Sequence, residues 1–598
     1  MAAARPDTLE AALAEVFRVS GDRASWFALT GGEPLFNVGD AADALYLVRS
    51  GRLGVFRREE GQPPRMLGVI PPGEPVGEMA LFADTPHTAD VVALRDTEIM
   101  ALPREAVLDA VRARPEVMIA LTQLMLARAR DNGDGMAGPS VFGFVAARDR
   151  PIRSFVDRIA QAIRGQGLTC RVIDHSALAS AADWFSRVEE DHDYVLYVAE
   201  QDETSWAALC VRQVDRLFLV GDSLGVPPQR MPARGTGSWH DPAFADLILL
   251  RDPRMTRPAN TSVWLDALRP GRWFQAIEGD EADVRRLARI VTGRAVGLVL
   301  SGGGARAYAH IGAIRSLRQA GVTFDFLGGA SMGAVVAAGP ALGWSDDELD
   351  AQIRRAFVTS DPLSDLAVPI IAMTRARKVA GLLQNAYGEI DIADLPLPFF
   401  AVSSNLTTGR IEVHRRGLLR KAMRASIAIP GVMPPVVMDG QVLVDGAVIK
   451  NFPTDVMRRL NAGPIVGVDM SQARGVDPGA LENPPSWWRW LLSGQWKAGP
   501  PIVSILMRAA TITTDVEVQR ARADVDLLIL PQPATTDIRD WKAYDPTVES
   551  GRVAAQTALL AHEGNGSGAF RLPALPSEPE GPVQPDQPDA HAQEGAER

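Results

Sequence analysis

Short apolar runs separated by turn residues give the first part of the chain a β pattern. Pro34-Leu35-Phe36, Ala44-Leu45-Tyr46-Leu47-Val48, Arg52-Leu53-Gly54-Val55-Phe56 and Met66-Leu67-Gly68-Val69-Ile70 are divided by Gly39-Asp40, Ser50-Gly51 and Pro71-Pro72-Gly73. Evenly spaced short strands of this kind predict an antiparallel roll or barrel. Helical periodicity brackets the roll, over residues 9–19 and 104–129. After a linker at Ala137-Gly138-Pro139 the pattern changes. Apolar runs at Val141-Phe142-Gly143-Phe144-Val145, Cys170-Arg171-Val172-Ile173, Tyr194-Val195-Leu196-Tyr197-Val198, Leu217-Phe218-Leu219-Val220 and Leu247-Ile248-Leu249-Leu250 alternate with helical stretches, notably 152–163 and 176–188. Buried strands between helices predict a doubly wound parallel sheet. A third block repeats the alternation, with strands over 295–300, 441–444 and 525–530 and helices over 511–522 and 551–562.

The expected organisation is therefore multidomain: a β-roll with helices over residues 1–135, a doubly wound α/β domain over 140–290 and a second α/β domain over 293–565. A chain of 598 residues has room for this number of units at about 150 residues each. Residues 566–598, rich in Pro, Glu and Gln, have too little apolar surface to fold and are expected to be disordered.

Composition narrows the function classes. Apolar residues make up 46% and charged residues 23%, the balance of a soluble globular protein. A net charge of -11 argues against nucleic acid as a partner, which calls for a basic patch. Cys170 and Cys210 are too few for a disulfide framework, so a reduced, cytoplasmic setting is expected. The opening residues lack the apolar core of a signal peptide. The uncharged stretch over 326–344 is rich in glycine and small residues and contains Pro340, which favours a buried turn and helix over a membrane span. No cofactor or metal is implied: no glycine fingerprint follows Val145, and His175, His192 and His240 lack metal-ligand spacing.

The chemistry concentrates in the third block. Gly329-Ala330-Ser331-Met332-Gly333 is a G-x-S-x-G sequence between an apolar run and a small-residue run, the strand–turn–helix setting of a nucleophile elbow. One strand earlier, Ser301-Gly302-Gly303-Gly304-Ala305-Arg306-Ala307 opens a helix. With Asp325 it fits a dinucleotide fingerprint, but its amides at a helix N-terminus also suit an oxyanion hole. The exposed serine one strand later decides for the oxyanion hole. For the base, His310 has no evident path to Ser331, and His414 lies in a basic run over 410–416 that reads as a solvated face. Asp445, at the end of a strand and before Gly446, is better placed to form a Ser–Asp dyad. Spacing alone leaves Asp439 and Asp469 as competitors.

Three motifs in order, G-G-G-x-R at Gly302–Arg306, G-x-S-x-G at Gly329–Gly333 and D-G-A at Asp445–Ala447, resemble the patatin-like phospholipases. The resemblance implies an oxyanion loop of Gly302, Gly303, Gly304 and Arg306, a nucleophile at Ser331 and a base at Asp445. Ala307 stands where that family usually has a further glycine. In the first block, Val76-Gly77-Glu78-Met79-Ala80-Leu81 followed by Pro86-His87-Thr88-Ala89 resembles the cyclic-nucleotide-binding domain. That resemblance marks Glu78, His87 and Thr88 as the remains of a nucleotide site. His87 occupies the place of the arginine that pairs with the cyclic phosphate, and a histidine cannot replace a bidentate guanidinium, so tight cyclic-nucleotide binding is not expected.

The whole layout is similar to the neuropathy target esterase group. It implies a serine acyl hydrolase acting on lysophospholipids or phospholipids. The alternatives are a cyclic-nucleotide-regulated sensor with a weak or silent esterase, and a thioesterase or neutral-lipid lipase. Trp487, Trp488 and Trp490, beside Arg489, suit peripheral membrane contact and a packed amphipathic helix equally well.

Overall fold

The computed structural model describes residues 23–58, 65–130, 138–148, 150–180, 182–200, 204–229, 245–360, 362–368, 370–471, 514–532 and 540–564. The expected helix over 9–19, His240, the tryptophan run over 487–490 and the tail over 566–598 lie outside the described residues.

The first unit is the expected roll. Strands β1 (Ser25–Leu29), β2 (Pro34–Phe36), β3 (Ala44–Ser50), β4 (Leu53–Arg57), β5 (Arg65–Ile70), β6 (Pro75–Val76), β7 (Asp90–Ala93) and β8 (Thr97–Pro103) form two antiparallel sheets, in the orders β1-β8-β3-β6 and β2-β7-β4-β5. Between the sheets, Phe36, Val48, Leu53, Ile70, Val91 and Ile99 are buried. Helix α1 (Glu78–Ala83) lies on the roll, and α2 (Arg104–Ala113) and α3 (Pro115–Arg130) close it.

The second unit is a six-stranded, all-parallel sheet. It comprises β9 (Val141–Ala146), β10 (Cys170–Ile173), β11 (Tyr194–Ala199), β12 (Arg216–Asp222), β13 (Ala245–Arg251) and β14 (Trp273–Ile277), in the order β10-β11-β9-β12-β13-β14. Helices α4 (Arg153–Arg164), α5 (Ala182–Glu190), α6 (Thr204–Gln213), α7 (Thr261–Leu268) and α8 (Glu281–Val291) complete it. Every residue of β9 is buried, as a strand covered on both faces requires. The helix expected over 176–188 starts later. The Asp174 side chain accepts from Ser176 N and caps a separate 3₁₀ turn, His175–Ala177, before α5.

In the third unit, β15 (Gly297–Leu300) lies between β16 (Phe326–Ala330) and β21 (Ile465–Val468) in an eight-stranded mixed sheet. Strands β17 (Phe399–Asn405), β18 (Arg410–His414), β19 (Val436–Met438), β20 (Gln441–Asp445) and β22 (Leu527–Ile529) give the order β19-β20-β17-β16-β15-β21-β22, with β18 paired to β17. Its helices are α9 (Ala309–Gln319), α10 (Met332–Ala341), α11 (Asp346–Ile353), α12 (Arg377–Tyr387), α13 (Leu419–Ser426), α14 (Thr454–Leu460), α15 (Thr514–Ala523) and α16 (Tyr544–Gly564). The stretch over 326–344 is a buried strand, turn and helix, with every residue of α10 buried.

One apolar core joins the two α/β units. Phe274 of β14 meets Phe326 of β16 edge to face at 6.0 Å, and Val284 and Leu287 of α8 share that core with Val299 and Phe400. Each such fully buried side chain contributes about 1.5–3 kcal/mol. Arg289 of α8 grips Asp325 with two hydrogen bonds of 3.0 and 2.6 Å, while Val296 N donates to the same carboxylate. Asp325 is thereby committed to structure. The roll is fastened to the middle unit by ion pairs, Arg52–Asp215 at 3.0 Å and Arg95–Glu189 at 2.7 Å. These side chains are largely buried, and losing one partner of a buried pair typically costs about 3–5 kcal/mol.

Candidate active site

The G-x-S-x-G glycines are explained by close approach. A Cβ on Gly329 would lie 2.4 Å from Leu300 O, and one on Gly333 would lie 2.4 Å from both Leu300 O and Ser301 O. The turn from β16 into α10 is pressed against the end of β15, so neither position can carry a side chain. Ser331 sits at the apex with φ 52° and ψ -133°. That conformation costs a non-glycine residue on the order of 1–3 kcal/mol and clusters at functional sites. The strain is held in place by its surroundings: Ser331 N donates to Ser426 Oγ at 2.9 Å, and Ser426 Oγ donates to Val402 O at 2.7 Å.

Asp445 reaches the same point from the end of β20, which pairs with β17. Its Oδ2 accepts from Ser331 Oγ at 2.7 Å and its Oδ1 accepts from Ala447 N at 2.9 Å. Both side chains are almost fully buried. Burial raises the carboxyl pKa to about 6, against the lowering effect of the Ser331 and Ala447 donors. Gly446 fits where a Cβ would strike Val402 O at 2.4 Å. The competing aspartates fall elsewhere. Asp439 is exposed in the β19–β20 turn, and Asp469 pairs with Arg522 at 2.7 Å and caps Ser471 N.

The histidines are remote from this pair. His310 Nε2 donates to Ser301 O at 2.8 Å, and burial pushes its pKa down to about 4. It is a neutral prop beneath the glycine loop. The solvated face expected over 410–416 is corrected at His414, while Arg410, Glu412 and Arg416 are exposed. His414 is buried on β18, 2.7 Å from Ser403 Oγ, with its pKa also lowered to about 4 by burial. Arg415 covers the Trp273 ring at 4.3 Å. Within β18 exposed Arg410 and Glu412 alternate with half-buried Ile411 and Val413, and the middle unit's Trp273 takes up Arg415 just beyond the strand.

The glycine loop divides its amides. Gly302 N donates to Asn451 O at 3.2 Å and so is engaged within the loop. Gly303 and Gly304 carry no hydrogen bond on their amides among the described residues. They stand at the head of a 3₁₀ turn, Gly304–Tyr308, that runs into α9, where unpaired N–H groups favour negative charge. Arg306 Nε lies 3.4 Å from Gly303 O, so it contacts the back of the loop. Gly302 is pressed against the nucleophile: a Cβ there would lie 2.9 Å from Ser331 Cβ and 2.5 Å from Asn451 Oδ1. Ser426 and Asn451, which hold the nucleophile and the loop, were not marked by the sequence reading. Serine and asparagine at a helix end and in a turn are too common to stand out.

In the roll, the three residues of the degenerate nucleotide site differ in exposure. His87 is buried and stacked on Phe36, with ring centroids 3.6 Å apart and 9° between planes. Burial lowers its pKa. Glu78 is buried and Thr88 exposed. In the middle unit, the turn after β9 contains no glycine. Arg150 there pairs with Asp222 and Glu278 across the strand ends.

Comparison with known proteins agrees with this architecture. Residues 298–458 match the patatin-like phospholipase family, 27–114 the cyclic nucleotide-binding domain, and 150–277 the neuropathy target esterase (NTE) family P-loop-like domain. An NTE family protein of Mycobacterium tuberculosis is 33% identical over 548 residues, spanning 88% of this chain and 90% of that protein. The chain belongs to the NTE family. Human patatin-like phospholipase domain-containing protein 6 is 28% identical over 546 residues, covering 79% of this chain and 39% of that protein. This NTE family chain thus spans well under half the length of its human relative. A solved N-terminal domain of a transcriptional regulator from Streptomyces coelicolor is 33% identical over 22% of this chain and 95% of that chain, with a TM-score of 0.19. Family membership places the chain among the lipid hydrolases. Among the described residues, no helix is long and apolar enough to cross a membrane.

Proposed function

We propose that the protein is a serine acyl hydrolase that cleaves fatty-acyl esters of lysophospholipids or phospholipids through Ser331 and Asp445. The 2.7 Å hydrogen bond from Ser331 Oγ to Asp445 Oδ2 at a buried, strained elbow is the observation that carries this reading. Asp445 takes the hydroxyl proton as Ser331 Oγ attacks the ester carbonyl. The developing oxyanion is held by the amides of Gly303 and Gly304, with Gly302 and Arg306 shaping the loop. Collapse expels the alcohol oxygen, which receives the proton back from Asp445 and leaves an acyl-serine. Water, giving a proton to Asp445, then attacks the acyl carbonyl; collapse expels Ser331 Oγ, which takes that proton back, and releases the fatty acid. A carboxyl with a pKa near 6 suits both directions: ionised at neutral pH, yet basic enough to hold a proton in transit.

Substrate class is tested by product analysis on a panel of lysophospholipids, phospholipids, acyl-thioesters and triacylglycerols. Lysophospholipid or phospholipid should give the highest kcat/KM. A preference for thioesters or triacylglycerols would replace the proposed substrate with the thioesterase or neutral-lipid alternative. The stacking of His87 on Phe36 speaks against a sensor governed by cyclic nucleotide. Calorimetry with cyclic AMP and cyclic GMP should show no tight binding.

A further inference from the structure

Residues 362–368 and 370–379 form a hairpin that carries Val368, Ile370 and Ile371, the three most exposed large aliphatic side chains among the described residues of the third unit, together with Leu366. Leu366 is 47% exposed, Val368 78%, Ile370 86% and Ile371 72%. Such a group of aliphatic residues is unusual on a monomer surface and marks a contact site. The hairpin is well built. Ala367 N donates to Met373 O at 2.8 Å, Arg375 N to Asp365 O at 2.9 Å, and Leu366 bridges Thr374. Asp365 Oδ2 receives the amides of Arg377 and Lys378 at 2.7 and 3.2 Å, fixing the hairpin to the start of α12. Its base is anchored by Ala372, Thr374, Ala376 and Val379, all buried.

The hairpin stands beside the active site. Met373 N and Thr374 N donate to Gly431 O and Val432 O at 2.9 and 3.0 Å. Three residues before Gly431, Ala428 O accepts from Asp445 N at 3.0 Å. Pro362 and Val379, at the two ends of the hairpin, line a small apolar cavity with Val335. Val335 is one turn along α10 from Ser331, and its amide bonds to Ser331 O. On the tip's return side and at the start of α12 stand exposed cations, Arg375, Arg377 and Lys378, the last with Nζ on Ser364 Oγ at 2.9 Å.

We propose that this hairpin docks the protein on an anionic lipid surface: Leu366, Val368, Ile370 and Ile371 enter the headgroup–acyl boundary while Arg375, Arg377 and Lys378 meet the headgroups. An apolar tip with cations at its base is the complement of such a surface. A lipid ester leaving the bilayer there would have a short path to Ser331. The choice of a lipid surface as occupant rests on the lipid-hydrolase reading; the binding test does not.

The full chain carrying Ser331→Ala, which leaves lipid intact, is sedimented with vesicles of phosphatidylcholine and phosphatidylglycerol and with vesicles of phosphatidylcholine alone. It should bind, and more tightly with phosphatidylglycerol present. Adding Ile370→Glu and Ile371→Glu should weaken binding about tenfold or more, since each isoleucine loses the gain of leaving water. Arg375→Gln with Arg377→Gln should remove mainly the phosphatidylglycerol-dependent part. In the active chain the same isoleucine pair should leave turnover of a water-soluble short-chain ester unchanged. Absence of vesicle binding by the parent, or equal binding by the isoleucine variant, overturns the proposal. So does a lowered unfolding midpoint for the milder Ile370→Ser, Ile371→Ser pair, which would show that the chain itself covers these side chains. A shift from dimer to monomer with vesicle binding intact would assign the patch to a second copy, again overturning it. If the chain hydrolyses no lipid ester yet binds vesicles through Ile370 and Ile371, docking stands and the proposed function falls.

Discussion

Asp445→Asn should make the protein more stable and nearly inactive at the same time. The carboxyl has an ordinary pKa of 3.8 and lies near 6 in the fold because it is buried. A carboxyl raised in this way favours the folded state while protonated. That contribution is complete below about pH 4 and is lost as pH rises through about 6. At about 1.36 kcal/mol per pH unit of difference, ionised Asp445 costs the fold about 3 kcal/mol at neutral pH. Asparagine removes the charge and keeps an oxygen for the Ala447 amide. Its NH₂ group can face Ser331 Oγ. The expected gain at pH 7.5 is about 1–3 kcal/mol, seen as a rise of about 2–4 °C per kcal/mol in the unfolding midpoint of a domain of this size. Thermal unfolding of parent and variant across pH 4–8 should show the gap widening from near zero at pH 4. A variant less stable than its parent at pH 7.5, or a gap independent of pH, would refute the assignment of burial as the cause of the shifted pKa.

Three further outcomes follow from the same geometry. For a soluble ester, kcat/KM should rise tenfold per pH unit and level off above about pH 6, where Asp445 is ionised; a midpoint near 7 that survives Asp445→Asn would point to a histidine base. Gly302→Ala should lower kcat/KM about a hundredfold with the fold retained, since its methyl would press on Ser331 Cβ at 2.9 Å; circular dichroism and kinetics together check this. Gly312→Ala and Gly551→Ala should each destabilise the protein by about 3 kcal/mol in denaturant titrations, because the added Cβ atoms would lie 1.9 Å from Val548 O and 1.8 Å from Ala309 O, where α9 and α16 cross.

The parts of this molecule that could be read from sequence are those where one residue type has one physical use. The elbow and loop glycines answer to close backbone approach, and β9 is apolar throughout because both faces are covered. Asp445 was legible because it ends a strand beside Gly446. Other features depend on tertiary placement. The basic run over 410–416 hid a strand that ends on a buried histidine, His414, and Arg415 packs on Trp273, far away in sequence. Ser426 and Asn451 acquire their roles only when α13 and the turn after β20 are brought to Ser331. The helix expected over 176–188 was displaced by a single capping interaction at Asp174, which periodicity does not register. The hairpin over 362–379 has no strand-length pattern, and its exposure is a property of the assembled surface.

The central claim is that Ser331 is the nucleophile and Asp445 its base. The most direct measurement is peptide mass spectrometry of the full chain after reaction with a fluorophosphonate, alongside turnover of lysophospholipid by the parent, Ser331→Ala and Asp445→Asn. The account predicts a covalent adduct on Ser331, formed much more slowly in Asp445→Asn, and loss of turnover in both variants by about a thousandfold or more. An adduct on another residue, or full turnover in Ser331→Ala, would contradict it.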